Sequence, residues 1–220
     1  MRKLEKSPKP QILIDNAEDW TKQYCAALSA GMKPSDDLAT KYKCPEIKQA
    51  LAEETFGKCV YCESKIQHIS YGDIEHILPK NKDARPDLYV EWNNLTLACA
   101  QCNRSGKGTY YNPNLLLINP YQDQPESHLQ DIGPLILPMI NSERAQITEK
   151  ILKLNRPSLV ERRTERIMYI ERLFKLWHDE KNLDLKNCLE KELCDECALD
   201  KEYSSTIRSY LMARGFVIKE

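Results

Sequence analysis

Two Cys-x-x-Cys pairs constrain this chain more than any other feature. Cys59-Val-Tyr-Cys62 and Cys99-Ala-Gln-Cys102 share one spacing. A two-residue gap lets a tight turn aim both thiolates at one ion, and two such turns complete a tetrahedral four-sulfur shell suited to Zn2+. A closed shell leaves no coordination position for a substrate. The zinc is therefore expected to be structural, a staple closing the ends of a module, and chemistry is expected from the residues it encloses. The chain holds nine cysteines, and without an export signal they point to a reducing compartment rather than to disulfides. Cys194 and Cys197 form a further spaced pair, but in an acidic, helical stretch with no second pair to complete a shell, so no zinc is expected there.

The opening MRKLEKSPKP carries positive charge with no apolar run behind it. No later window approaches the roughly 18 apolar residues that a membrane span requires. The chain reads as cytoplasmic, with no membrane partner. Its 220 residues, 41% hydrophobic and 30% charged, suffice for one substantial core or two small ones. The net charge of -1 matters more. A chain that grips nucleic acid unaided usually shows a basic surplus, so any such binding here is expected to be local or shared with a partner.

Helical patterning brackets a different middle. NAEDWTKQYCAALSAG predicts a helix opening on Asn16 and closing on Gly31, and PEIKQALAEETFG predicts another with Pro45 at its first position. From residue 58 to about 112 the helical period gives way to Cys, Gly, Asn and short apolar runs. After Pro134 and Pro138 helices return. In SLVERRTERIMYIERLFKLWHDE, Ser158 and Glu161 are placed for a capping box, and Ile167, Ile170, Phe174 and Trp177 form a core stripe. Basic residues dominate 150–175 and acidic ones 179–202, which reads as two solvated faces or as a strip for nucleic acid or an acidic partner.

Three elements inside or beside the staple belong together. Glu75 and His76 are adjacent in YGDIEHILPK, Asn94 lies in EWNNL, and Asn103 directly follows the last cysteine of the staple. Hard divalent ions such as Mg2+ take a few oxygen ligands, which Glu75 and Asn103 supply, while a neutral imidazole at His76 can take a proton from water. Asp73 lies on the same strand face as Glu75 and could be a further ligand, though a solvated or hydrogen-bonded role is expected. His68, His128 and His178 stand alone and are expected to be non-catalytic. SGKGT invites a phosphate-loop reading, but Gln101 stands where that motif needs its first glycine.

In order, CVYC, IEHILPK, WNNL and CAQCNRSGKG resemble the zinc-stapled HNH endonucleases. The resemblance implies an α+β chain in which a ββα-metal (HNH) nuclease core with a four-cysteine zinc staple is flanked by N-terminal helices and a helical C-terminal region. It makes His76 the general base, Glu75 and Asn103 the ligands of a catalytic Mg2+ or Mn2+, and Asn94 the residue that pins the loop and orients the imidazole. Lys107 and Arg104 fit phosphate contacts. The last letter of the motif is Asn103 rather than His, which weakens metal affinity more than it weakens the assignment. The implied domains are residues 1–57, an extended segment and helices; 58–130, the nuclease module; and 131–220, a helical region for docking a partner. On this reading the zinc module is expected to fold without residues 135–220.

A longer similarity, carried by MRKLEKSPKP, NPYQDQPESHL, GPLILP and RAQITEKILKLNRPSLVERR, is to the HNH subunit of Septu-type anti-phage defence systems, including retron-associated ones. It implies a nucleic acid substrate, DNA by default with structured RNA such as tRNA open. It also implies an ABC-type ATPase subunit as partner and, in retron-linked forms, a reverse transcriptase and its RNA-linked DNA. Two readings stay beside it. A stand-alone restriction or homing nuclease needs its own sequence-reading surface, for which only 150–175 qualifies. A non-catalytic zinc module that binds nucleic acid or protein would not need Glu75, His76 and Asn103.

Overall fold

The computed structural model describes residues 1–66 and 72–219; His68 lies outside them. Helix α1 spans Gln11–Ser29 and starts before the expected Asn16. Leu13 belongs to the buried stripe with Ala17 and Tyr24, and Pro10, with φ fixed at -58°, caps the helix start. Asn16 sits one turn inside, donating from Nδ2 to the Ile12 carbonyl at 2.9 Å. Helix α2 (Asp36–Thr40) is capped by the Ser35 hydroxyl and runs into a 3-10 turn at Lys41–Lys43. Helix α3 (Pro45–Glu54) has Pro45 at its first position, as expected, and buries Ile47 and Leu51.

The middle of the chain is a small hairpin and a turn. Strand β1 (Asp73–His76) pairs antiparallel with β2 (Leu95–Ala98), setting His76 opposite Leu95 and Asp73 opposite Ala98. Gly72 leads into β1 at φ +65°, and a side chain there would meet Leu97 Cδ1 at 3.0 Å and Ile66 Cγ2 at 3.1 Å. Only glycine suits both the left-handed backbone and that close approach. Beyond β2, helix α4 (Ala100–Cys102) continues as a wide turn over Asn103–Lys107, closed by the Gly108 N–H donating to the Asn103 carbonyl at 2.7 Å.

A second hairpin, β3 (Leu129–Ile132) with β4 (Leu135–Pro138), straddles the expected boundary at 130/131. Helices α5 (Glu143–Leu152), α6 (Pro157–Asp179), α7 (Leu183–Asp195) and α8 (Ser204–Ala213) follow. Ser158 does not cap α6. Pro157 takes the first helical position and Arg156 the cap, without a side-chain cap bond, so the expected capping box gives way to a proline start.

One core gathers residues from all three sequence segments, including Leu13, Ile47, Tyr61, Leu95, Leu97, Leu152, Leu159 and Tyr203. A second core joins Ile170 and Phe174 of α6, with Ile167 and Trp177 packed against it, to Leu193, Ile207 and Leu211. The stripe expected along α6 is this second core. The N-terminal segment straps the first: Lys6 Nζ meets Glu54 at 2.9 Å and lies 3.9 Å above the Trp92 ring, and the Trp92 indole donates to the Ser7 carbonyl at 2.7 Å. Glu63, in the first cysteine turn, accepts from both Ser205 N–H and Ser205 Oγ, at 3.2 and 2.7 Å. Gly106 packs where a Cβ would lie 3.0 Å from the Ile151 carbonyl. The described part of the module at 58–130 thus packs against residues from 135–220.

Candidate active site and zinc centre

The four cysteines of the two pairs converge. Their sulfurs lie within 4.8 Å of one another, with Cys62 and Cys99 at 3.9 Å. Tetrahedral bonds of about 2.3 Å place sulfurs about 3.8 Å apart, so the donor set fits Zn2+. The first pair sits in a tight turn, where the Cys59 N–H donates to the Ser64 carbonyl and the Glu63 N–H to the Cys59 carbonyl. The Val60 N–H adds a bond to the Leu97 carbonyl at 3.0 Å, so the turn is stitched to β2. Cys99 caps the α4 turn that carries Cys102. Among the described residues, no other cluster of three or more His, Cys, Asp or Glu side chains could hold a metal, and Cys194 and Cys197 take no part.

One feature of the centre has no local signal in the sequence. Arg156, from the start of α6, points its guanidinium at the sulfurs: Nη1 lies 3.5 Å from Cys102 Sγ, and Nη2 lies 3.7 Å from Cys99 Sγ and 3.8 Å from Cys62 Sγ.

His76 ends β1 and is buried. Its Nε2 lies 2.8 Å from the Tyr89 carbonyl, which can only accept. Nε2 therefore carries the proton and Nδ1 is the basic nitrogen. Tyr42 packs edge-on against the imidazole at 4.7 Å. Burial pushes the imidazole pKa down to about 3, assisted by Lys80 and Lys107 and opposed by the Tyr89 carbonyl. The ring is neutral at neutral pH. Asn94, also buried, grips the chain just past it: Oδ1 accepts from the Leu78 N–H at 2.8 Å and Nδ2 donates to the Leu78 carbonyl at 2.9 Å. Both backbone groups two residues beyond His76 are thereby fixed.

The opposite face of β1 meets the turn at 103–107. Residues two apart on a strand lie about 6.6 Å apart, close to the advance of one helical turn, about 5.4 Å. Asp73 accordingly meets Asn103 and Arg104, and Glu75 meets Lys107. Asn103 Nδ2 donates to Asp73 Oδ2 at 3.3 Å, and Arg104 binds both Asp73 oxygens, at 2.8 and 2.5 Å. Asp73 is hydrogen-bonded, one of the roles expected of it. Lys107 Nζ lies 2.6 Å from Glu75 Oε1 and donates to the His76 carbonyl at 2.8 Å, with both side chains almost wholly buried. The expected phosphate lysine is thus turned inward; Arg104 remains exposed.

Glu75 Oε1 is buried, and the Lys107 ammonium is its ion-pair partner. Burial raises the carboxyl pKa, Lys107 pulls it down, and Asp73 adds to the rise. Glu75 and Asn103 each offer a hard oxygen of the kind Mg2+ or Mn2+ takes, while the contacts they make here are to Lys107 and to Asp73.

Further residues gather here without a sequence signal. Lys80 is caged over the rings of Tyr42, Tyr89 and Tyr24, at 4.3, 5.0 and 5.3 Å. Burial and Lys43 lower its pKa to about 8. His128 bonds Ser142 at 3.2 Å and His178 lies against Phe174, both away from the site.

The chain matches known proteins along this same stretch. The HNH endonuclease family profile matches residues 59–107. Septu protein PtuB of Bacillus mycoides (strain KBAB4) is 29% identical over the whole of this chain and 84% of its own length. Septu protein PtuB of Bacillus thuringiensis is 44% identical over 87 residues, 39% of this chain and 33% of that protein. No solved structure matches. No helix among the described residues is long and apolar enough to cross a membrane.

Proposed function

We propose, from the premise that this chain is an HNH endonuclease of PtuB-like type, that it hydrolyses phosphodiester bonds of nucleic acid, DNA first, with His76 as general base. The observation that carries this reading is the Nε2–Tyr89 carbonyl bond. It leaves Nδ1 unprotonated in a neutral imidazole, ready to accept a proton from the attacking water. A phosphodiester beside the ring raises its basicity, because negative charge favours the imidazolium. Glu75 and Asn103 would hold a divalent Mg2+ or Mn2+, whose charge offsets that developing on the phosphate. Asn94 keeps the backbone after His76 in place. The four cysteines would hold a structural Zn2+.

The test is plasmid nicking with Mg2+ or Mn2+. His76→Ala should lose about 10²- to 10⁴-fold in rate while zinc content stays constant, and full activity in that variant would overturn the assignment. Cleavage of tRNA but not of DNA would redirect the substrate to structured RNA. The similarity to Septu PtuB further supports work within a defence complex beside an ABC-type ATPase subunit, with a reverse transcriptase and RNA-linked DNA where a retron is attached. Co-purification from the native operon tests this, and absence of any ATPase would favour a stand-alone nuclease.

A further inference from the structure

We propose that Tyr42, which lies outside the matched stretch 59–107, is a positioning residue that sets the plane of the His76 imidazole, and with it the line along which Nδ1 takes its proton. This rests on the nuclease reading above and deepens it. The Nε2–Tyr89 carbonyl bond fixes one atom of the ring. Rotation about the Cβ–Cγ bond of a histidine is broad rather than confined to three wells, and a carbonyl accepts over a broad range of directions. That bond alone therefore leaves the plane of the ring open. Asn94 does not close it, because its bonds go to backbone groups of Leu78 and Leu88. Among the described residues, two tyrosine rings pack against the imidazole. The ring of Tyr89 lies nearly parallel, 11° off, with centroids 6.4 Å apart. Tyr42 is nearer, at 4.7 Å and 73°. Edge-to-face packing is an arrangement that aromatic quadrupoles prefer, and with centroids this close the imidazole has little room to turn without losing it.

A stop for the ring must itself be held, and Tyr42 is. It sits in the middle of the Lys41–Lys43 turn, which the Cys44 N–H closes by donating to the Lys41 carbonyl at 3.2 Å. Its ring meets that of Tyr89 edge-on, at 6.0 Å and 84°. Lys80 Nζ lies 4.3 Å from the Tyr42 centroid, a distance at which a cation is drawn to the ring. The same ammonium donates to the Ala39 carbonyl at 3.2 Å, so the lysine that follows β1 is tied to α2 as well as to the ring. Tyr89 is anchored on the same side: its ring stacks on Tyr24 of α1 at 4.0 Å, and its hydroxyl donates to the Leu38 carbonyl. His76, Tyr89, Tyr42 and Lys80 thus close a circuit whose outer half comes from α1, α2 and the turn after it. A base that must meet a water in line with a phosphate gains from such a frame, since a small misplacement of a reacting group costs a large factor in rate.

The test is a double-mutant cycle on the full chain, read by plasmid nicking with Mg2+ or Mn2+. Tyr42→Ala should lower kcat and kcat/KM in the same proportion, by about 10- to 100-fold, with zinc content unchanged. Tyr42→Phe keeps the ring and should rescue the rate. In the His76→Ala background, Tyr42→Ala should cost nothing further, because no imidazole is left to orient. A loss that adds in full to that of His76→Ala would show a merely structural role and overturn the proposal. So would a raised KM with kcat intact, which would make Tyr42 a substrate contact. Nuclear magnetic resonance of protein labelled with 13C-histidine reads the ring without any cutting, and with four histidines in the chain the His76 signals are identified by their loss in His76→Gln. They should be sharp in the parent and in Tyr42→Phe, and should broaden or split in Tyr42→Ala as the ring samples more than one plane. A single sharp set in Tyr42→Ala would also overturn the proposal. Should Tyr42→Ala fail to fold, Tyr42→Leu refills the space without a planar ring and should show the same losses. A parent chain that nicks no plasmid, or a His76→Ala variant of full activity, defeats the nuclease reading first and the positioning role with it.

Discussion

Arg156 directs two guanidinium nitrogens at three sulfurs of the cysteine cluster, the closest pair being Nη1 and Cys102 Sγ at 3.5 Å. Four thiolates around Zn2+ carry a net charge of about -2, and a half-buried guanidinium offsets part of it while donating N–H groups to sulfur. Arg156→Gln should therefore loosen zinc by about 10- to 100-fold, the usual cost of losing an outer-shell partner. Zinc release to a colorimetric chelator measures it, and an unchanged release rate would remove Arg156 from the centre.

The Glu75–Lys107 pair is almost wholly buried, so breaking it from one side leaves a charge without a partner. Lys107→Ala should cost about 3–5 kcal/mol in chemical denaturation. Mn2+ should then raise the melting temperature of that variant more than that of the parent, because the Glu75 oxygen has lost its resident cation. Equal shifts in the two proteins would argue against Glu75 as a ligand.

Acid should destabilise the fold through His76 before it reaches most carboxylates. The imidazole pKa falls from 6.5 to about 3 on folding, so the unfolded chain binds the proton more readily. Stability from the neutral ring is complete above pH 6.5 and is lost as pH drops toward 3. The slope is at most about 1.4 kcal/mol per pH unit. His76→Gln should flatten unfolding free energy against pH across that window; an unaltered slope would show the ring is not buried neutral.

Glu63 gives a second, lower window. Although burial opposes it, the Met1 ammonium, Lys58 and the Ser205 donors bring its pKa from 4.5 down to about 2. Its contribution is present above pH 4.5 and is lost as pH falls toward 2. Glu63→Gln should remove that part of the acid transition, on the order of 3 kcal/mol.

Removing residues 135–220 should unfold the zinc module rather than spare it. The cut takes away Arg156, the Leu152 side of the core and the Ser205 donors to Glu63. Circular dichroism and zinc content of the truncated chain check this, and a folded, zinc-loaded fragment would contradict the packing.

Much of the site was legible because its signals are local. The cysteine spacings dictate tight turns, the Pro45 start of α3 follows from fixed φ, and adjacent Glu75 and His76 point to opposite strand faces by the two-residue period alone. What escaped reading depends on long-range packing. Nothing near Arg156 announces sulfur contacts with residues more than fifty positions away, and Tyr89 orients His76 through a backbone carbonyl, which any residue carries. Lys107 is expected on a phosphate from the resemblance alone; the turn at 103–107 brings it under β1, which its neighbours in sequence do not announce. The β3–β4 hairpin was hidden in a run of alternating character too short to separate from loop.

Matching a strand's two-residue step to a helical turn makes this site sensitive to length more than to identity. Arg104 is exposed, so it can be recoded while the backbone keeps its course. Dropping a single residue between Asn103 and Lys107 would instead swing Lys107 around the axis of the turn and away from Glu75. Gly106 leaves little room to absorb the change, since a Cβ there would stand 2.9 Å from the Gln101 carbonyl. What this turn imposes on any descendant or redesign is a residue count.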